Sequence, residues 1–200
     1  MKVLVLDAMG VIYSVGDDVK DLLYPFVIEK GGTGDYSIVQ EYYHLASLGK
    51  ISSADLWKEA GIAPQLEDEY LQRFQLTDGL LDFLKNIKSR GTEIWCLSND
   101  LSEWSKKLRI RFRLEEYFRG FVISGDVGIR KPDLLIYQNL LNRLNVGTKD
   151  VIFVDDRPQN LESASALGFT TILFSPADDT AIDDRHFKAT TFNDIMQFLV

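Results

Sequence analysis

Five short runs rich in β-branched and aromatic residues, at positions 3–6, 93–97, 121–124, 151–154 and 170–174, constrain the fold of this chain most tightly. Each is too short for a helix and apolar enough to be a strand covered on both faces. Segments of helical period lie between them: Leu80, Phe83, Leu84 and Ile87 recur at i, i+3, i+4 and i+7, as do Phe192, Ile195, Met196 and Leu199. Strand alternating with helix predicts an α/β fold whose parallel sheet is wound with right-handed crossovers. In such a sheet the ligand sits beyond the carboxyl ends of the strands.

The alternation fails between residues 14 and 77, where the sequence shows only helical patterns. Val19, Leu22, Leu23 and Phe26 form one and residues 38–48 a second; Pro25 is placed to kink or start a helix. Ser52-Ser53-Ala54-Asp55 reads as a capping box opening the Leu56-Trp57 helix, and residues 67–74 form the last pattern. Roughly 60 residues without a strand exceed an ordinary loop, so an all-helical insertion is expected at 14–77, with 1–13 and 78–200 as the core domain.

Composition narrows the function classes. A length of 200 residues suits one domain carrying an insertion, and a net charge of −8 disfavours a nucleic-acid partner. With 46% hydrophobic and 26% charged residues the chain is expected to be compact rather than disordered. The single cysteine, Cys96, lies in the apolar run Ile94-Trp95-Cys96-Leu97 and reads as an inert core thiol, which fits a reducing, cytoplasmic setting. No signal segment or membrane span is expected. The five basic residues within 106–113 read as a solvated helix face. His44 and His186, the only histidines, lack metal-ligand spacing; His44 reads as a helix-surface residue, with a place on the insert's inner face as the alternative. Trp57, Trp104, Tyr42 and Tyr43 read as packing residues, although Trp104 follows Ser98 closely enough to border a site.

Polar residues converge on the sheet edge that topology selects. Asp7 ends the first strand and precedes Ala8-Met9-Gly10-Val11; Ser98-Asn99-Asp100 ends the second; Asp155-Asp156 ends the fourth and leads to Asn160. Lys131-Pro132-Asp133 opens a helix after a glycine-containing loop. Each also has a plainer reading. A lone Asp starts a turn, Lys-Pro enters a helix, and paired acids suit a helix N-terminus.

Taken in order and spacing, these segments resemble the haloacid dehalogenase-like superfamily of hydrolases across essentially the whole chain. The matching stretches are Leu6-Asp7-Ala8-Met9-Gly10-Val11, Leu97-Ser98-Asn99, the run from Ser124 through Lys131-Pro132-Asp133 to Tyr137, and Val154-Asp155-Asp156 with Asn160, Glu162, Ala164 and Leu167-Gly168. The resemblance implies a doubly wound, Rossmann-like core with a mobile helical cap, and hydrolysis of a small, sugar phosphate-like metabolite. By that resemblance Asp7 is the nucleophile that forms an aspartyl-phosphate. Mg²⁺ would be held by the Asp7 carboxylate, the Met9 carbonyl and Asp155, with Asp156 completing or orienting the set. Ser98 and Asn99 would donate hydrogen bonds to phosphoryl oxygens. Lys131 would supply a fixed positive charge and hold Asp7 ionised.

Met9 breaks the family pattern, because most of its phosphatases place an Asp there as general acid and base. Methionine cannot transfer protons, and such catalysis is typically worth about 10²–10⁴-fold. Three readings stay open: a Mg²⁺-dependent phosphatase with an atypical proton-transfer step, a metal-independent haloacid dehalogenase, and a silent phospho-ligand or protein-binding module. The retained Asp155-Asp156 pair counts against the dehalogenase, which does not need it. Specificity is expected from residues 14–77 together with Tyr13 and Ser14 after Gly10.

Overall fold

The structure, a computed structural model, describes residues 2–176 and 185–199; residues 177–184 of the expected core lie outside the described residues. Six parallel strands form one sheet: β1 (Val3–Leu6), β2 (Glu93–Ser98), β3 (Gly120–Ile123), β4 (Val151–Asp155), β5 (Thr170–Phe174) and β6 (Phe187–Ala189), in the spatial order β3-β2-β1-β4-β5-β6. Strand order reverses at β1, so the crevice between β1 and β4 is the expected ligand position. There Leu6 lies opposite Val154, and the Asp7 N–H donates to the Val154 carbonyl at 2.9 Å.

Side-chain alternation in β1 divides the interior. Leu4 and Leu6 pack on one face with Leu80, Leu84 and Ile87 of α5 (Leu80–Ser89), whereas Val3 and Val5 pack on the other with Ile136 and Leu140. Those last two belong to α8 (Leu134–Leu141), and Leu161 of α9 (Pro158–Ala166) joins the same cluster. Fully apolar strands are thus covered on both sides, as a parallel sheet requires.

Strand β6 is an addition to the expected five. Its Phe187 and Lys188 are exposed and only Ala189 is buried, so a three-residue edge strand carries no apolar run. Residue 124 was expected in a strand; instead Ser124 starts the short α7 (Ser124–Val127).

Between β1 and α5 the regular elements are helices joined by turns and loops, with isolated bridges at Met9–Tyr13 and Tyr13–Leu76. A π-helical turn at Val19–Leu23 leads into α1 (Tyr24–Glu29), with Pro25 in its first turn where no N–H is needed. Then come α2 (Tyr36–Ala46), α3 (Ser53–Glu59) and α4 (Glu67–Leu71). The Ser52–Asp55 capping box is present at α3. The chain leaves and rejoins the sheet domain through two adjacent segments. Ser14 N–H donates to Gln75 O at 3.0 Å and Thr77 N–H to Ile12 O at 3.0 Å.

The basic stretch at 106–113 is more than a solvated face. It continues α6 (Ser102–Arg111), where Lys107 reaches Glu67 and Asp68 at 2.7 and 2.6 Å and Arg111 binds the Leu71 carbonyl, gripping α4. Beneath them the Glu67 carboxylate accepts the indole N–H of Trp57 at 3.0 Å and of Trp104 at 2.8 Å. Trp104 is fully buried against Tyr70 and Trp57, which settles it as a packing residue rather than a border of the site. Cys96 is likewise buried, and burial pushes its thiol far up. Among the described residues no helix is long and apolar enough to cross a membrane.

Candidate active site

The turn after β1 places Asp7. Tyr13 N–H closes it on Ala8 O at 2.8 Å and Gly10 N–H on Val15 O at 2.7 Å, so among the described residues no hydrogen bond takes up the Met9 carbonyl. Gly10 adopts φ +75°, and a Cβ there would stand 2.4 Å from Asp156 Oδ2; only glycine allows this approach. Across the crevice, Asp155 ends β4. Its Oδ1 accepts the Arg157 N–H at 2.8 Å, and Asn160 donates to both of its oxygens at 3.0 Å. Asn160 carries no assigned role in the sequence reading, yet it fixes Asp155 and is itself held through its carbonyl by the Tyr137 hydroxyl at 2.8 Å.

Lys131 joins the two strand ends. Its ammonium lies 2.7 Å from Asp7 Oδ1 and 2.7 Å from Asp155 Oδ2, with the residue 4% exposed. Burial works against the ammonium, but Asp155 and Asp7 outweigh it and hold Lys131 above its ordinary pKa. Lys131 pulls the Asp7 carboxyl downward, as expected, but burial, followed by Asp155, outweighs it and the net direction is upward.

That imbalance bears on a cation. Asp7, Asp155 and Asp156 bring carboxylate oxygens within 4.8 Å of one another, with one lysine against three acids. Burial and Asp155 drive Asp156 up to about 7, and its Oδ1 is buried without a hydrogen-bond partner. Arg157 Nε lies 4.0 Å from that oxygen without donating to it; hard oxygen donors, surplus negative charge and a carboxylate oxygen free of hydrogen bonds together suit a hard divalent cation such as Mg²⁺.

The expected substrate ligands divide. Ser98 is 1% exposed with an unpartnered hydroxyl, a donor without a protein acceptor. Asn99 is committed elsewhere: its Nδ2 donates to Lys131 O at 2.9 Å and its Oδ1 accepts Lys131 N–H at 2.8 Å. It positions Lys131, where the sequence reading made it a donor to phosphoryl oxygens. Asp100, the third polar residue at that strand end, is buried and accepts the Leu101 N–H at 2.7 Å.

Asp7, Met9, Asn99 and Lys131 open on a cavity of about 490 Å³. Its outer wall comes from the helical insert, with Asp17, Asp18, Glu41, Tyr43 and His44, and from Arg130 and Arg157 of the sheet domain. His44 thus lines the inner face of the insert as well as being exposed. Asp18 and Tyr43 went unnoticed as site residues, because an acid before a helix reads as a cap and a tyrosine at helical spacing as core. Asp156 lies on a second cavity, also about 490 Å³, together with Gly10, Ser14 and Gly16.

Comparison with known proteins identifies the family. A sesquiterpene phosphatase of Aspergillus oryzae is 27% identical over 145 residues, covering 68% of this chain and 74% of the relative. Against further curated relatives the chain spans about half of their length. A phosphatase from Thermococcus onnurineus superposes with a TM-score of 0.74 at 19% identity, covering 100% of this chain and 98% of the other. A Bacteroides thetaiotaomicron enzyme solved as a magnesium complex gives 0.76 at 19% identity, covering 90% and 96%. Haloacid dehalogenase-like hydrolase is the family matched over residues 1–168, a span that runs from the Asp7 turn past Asn160, and the chain belongs to that family of hydrolases.

Proposed function

We propose that this hydrolase is a Mg²⁺-dependent phosphatase that cleaves a small, polar, sugar phosphate-like phosphomonoester through an aspartyl-phosphate on Asp7. The observation that carries this reading is the Lys131 ammonium shared between Asp7 and Asp155, with Asp156 completing a three-carboxylate cluster. A dehalogenase needs no cation, so three clustered acids, two of them buried, would only oppose one another there. The cavity wall offers polar contacts to a leaving group: Gln40, Glu41, His44 and Arg130 line it beside the apolar surface of Met9, Val19, Tyr43 and Pro132.

In this reading Asp7, Asp155, Asp156 and the Met9 carbonyl hold the cation, which when bound offsets the charge that the phosphate and the carboxylates share. Asp7 attacks phosphorus and displaces the leaving alcohol. Lys131 keeps positive charge beside the nucleophile, and Asn99 keeps Lys131 in place. The Ser98 hydroxyl supplies a donor to a phosphoryl oxygen. Residues 14–77 act as the cap that sets specificity, since Asp17, Asp18, Glu41 and His44 close the cavity from that side. A reducing cytoplasmic setting suits the single buried thiol.

Initial rates over a panel of phosphomonoesters, with Mg²⁺ and with chelator, test the proposal. Mg²⁺-dependent phosphate release that disappears in Asp7→Asn is expected. Halide release from a chlorinated short-chain acid in chelator, without phosphate release, would establish the dehalogenase instead. Thermal stabilisation by Mg²⁺ plus phosphate without turnover would establish a binding module.

A further inference from the structure

Met9 leaves the proposed reaction without a side chain that can protonate the leaving oxygen from the turn after β1. The same cavity holds another carboxyl. Asp18, at the entrance to the helical insert, lines it together with Asp7 and Met9 and is 4% exposed. The Tyr43 hydroxyl donates to Asp18 Oδ2 at 2.7 Å and also lies 3.4 Å from the Asn99 carbonyl. Asn99 holds Lys131, and Lys131 touches Asp7, so contacts run unbroken from Asp18 to the nucleophile. Tyr43 is the single hydrogen-bond donor to Asp18 among the described residues, and no lysine or arginine there forms an ion pair with it. The other insert carboxyls in the wall are differently placed: Asp17 accepts Lys20 N–H, and Glu41 stands exposed.

We propose that Asp18 is the proton donor and acceptor of this site, supplied by the helical insert in place of the acid absent at position 9; the assignment rests on the phosphatase reading. In the first step Asp7 forms a bond to phosphorus, the phosphorus–oxygen ester bond breaks, and the Asp18 carboxyl gives its proton to the departing alkoxide. In the second, water attacks the aspartyl-phosphate and loses a proton to the Asp18 carboxylate. The Asp7–phosphorus bond then breaks, which frees inorganic phosphate and restores both acids.

The surroundings of Asp18 fit both halves of that cycle. Burial has the largest influence and raises its carboxyl; the Tyr43 hydrogen bond opposes it, Asp17 adds to it, and Arg157 and Arg130 pull downward, for a net value of about 6. Asp100, Tyr36 and Tyr70 also feel its charge. Both protonation states are therefore accessible near neutrality, as a group that first gives and then takes a proton requires.

The test compares leaving groups with the Mg²⁺-loaded protein. A nitrophenol departs without protonation, whereas an alkoxide needs it. Asp18→Asn should lower the single-turnover rate of alcohol release from a primary alkyl phosphate by about 10²–10³-fold and of nitrophenol release by less than about 10-fold, while slowing the dephosphorylation step common to both esters. In the unaltered chain alkyl turnover should fall above about pH 6 while nitrophenyl turnover does not, a comparison that needs no variant. Adding Met9→Asp to Asp18→Asn should restore alkyl hydrolysis by returning an acid to the turn. Equal losses in the single-turnover release of the two alcohols, or no loss in either, would overturn the role of Asp18 alone. Absence of Mg²⁺-dependent hydrolysis of both esters by the unaltered chain would overturn the phosphatase reading, and this assignment with it.

Discussion

Asp7 and Lys131 meet at 2.7 Å although 124 positions separate them in the sequence, and both are almost fully buried. The lysine is the one ammonium among the carboxylates of the crevice, and its removal strands Asp7 and Asp155 together. Breaking a buried pair by deleting one partner costs about 3–5 kcal/mol. Lys131→Met should therefore lower the melting temperature by on the order of 10 °C in chelator. Mg²⁺ should recover more stability in this variant than in the unaltered chain. Thermal unfolding with and without Mg²⁺ measures both effects, and equal melting temperatures in chelator would contradict the pairing.

Gly10 lets the turn after β1 pass against Asp156. Gly10→Ala introduces a left-handed backbone strain of about 1–2 kcal/mol and a Cβ that displaces the Asp156 carboxylate. Mg²⁺ affinity, followed by calorimetry, should fall by about 10–100-fold, the loss typical when a ligand's support is disturbed. An unchanged affinity would show that Asp156 is not needed to hold the cation.

Asp18 ties function to stability in a direction that can be calculated. Its folded value of about 6 stands above the model-peptide value, so the ionised form is destabilised by folding. Below the unfolded value both states are protonated and no penalty exists; it grows as pH rises and is complete once pH passes about 6. Asp18→Asn should accordingly stabilise the protein at pH 8, by up to about 3 kcal/mol, and leave it unchanged near pH 3.5. Urea unfolding at the two pH values reads the difference, and a loss of stability at pH 8 would contradict it.

Glu67 bonds two indoles and Lys107 at the seam between α4 and α6. Burial raises its carboxyl, but Lys107, Ser53 and the indoles of Trp104 and Trp57 outweigh it, and the net shift is downward. Its contribution is present above the ordinary glutamate range and is lost as pH falls through the depressed folded value. Glu67→Ala leaves two buried indole N–H groups unsatisfied at about 1–3 kcal/mol each. Urea unfolding at neutral pH should show a loss of about 2–5 kcal/mol. A loss below about 1 kcal/mol would mean that the seam does not bear on stability.

The strands, the helical interval at 14–77 and the acids and lysine of the site are legible in the linear sequence, because they follow from periodicity and from motif spacing along the chain. Strands β1 and β5 coincide with their expected runs, and β2, β3 and β4 lie within a residue of the expected boundaries at each end. Strand β6 escapes because its three edge residues bury a single alanine and leave no pattern. Local rules also place Pro25 and the Ser52–Asp55 box, since a helix start depends on neighbours a few residues away.

What the tertiary structure alone decides is the state and partner of each polar group. Asn99 reads as a free amide until the Lys131 backbone, 32 positions away, takes both its ends. The basic run at 106–113 reads as solvated until α4 arrives to accept Lys107 and Arg111. Asp17 and Asp18 are adjacent and identical in type, yet the fold leaves one partly exposed and buries the other beneath Tyr43. Desolvation and partner charge set protonation, and both depend on contacts between segments far apart in the chain. The sequence by itself determined five of the six strands, the helical interval and the acids at the strand ends; folding decided which carboxyl of the insert is buried in the cavity that Met9 lines.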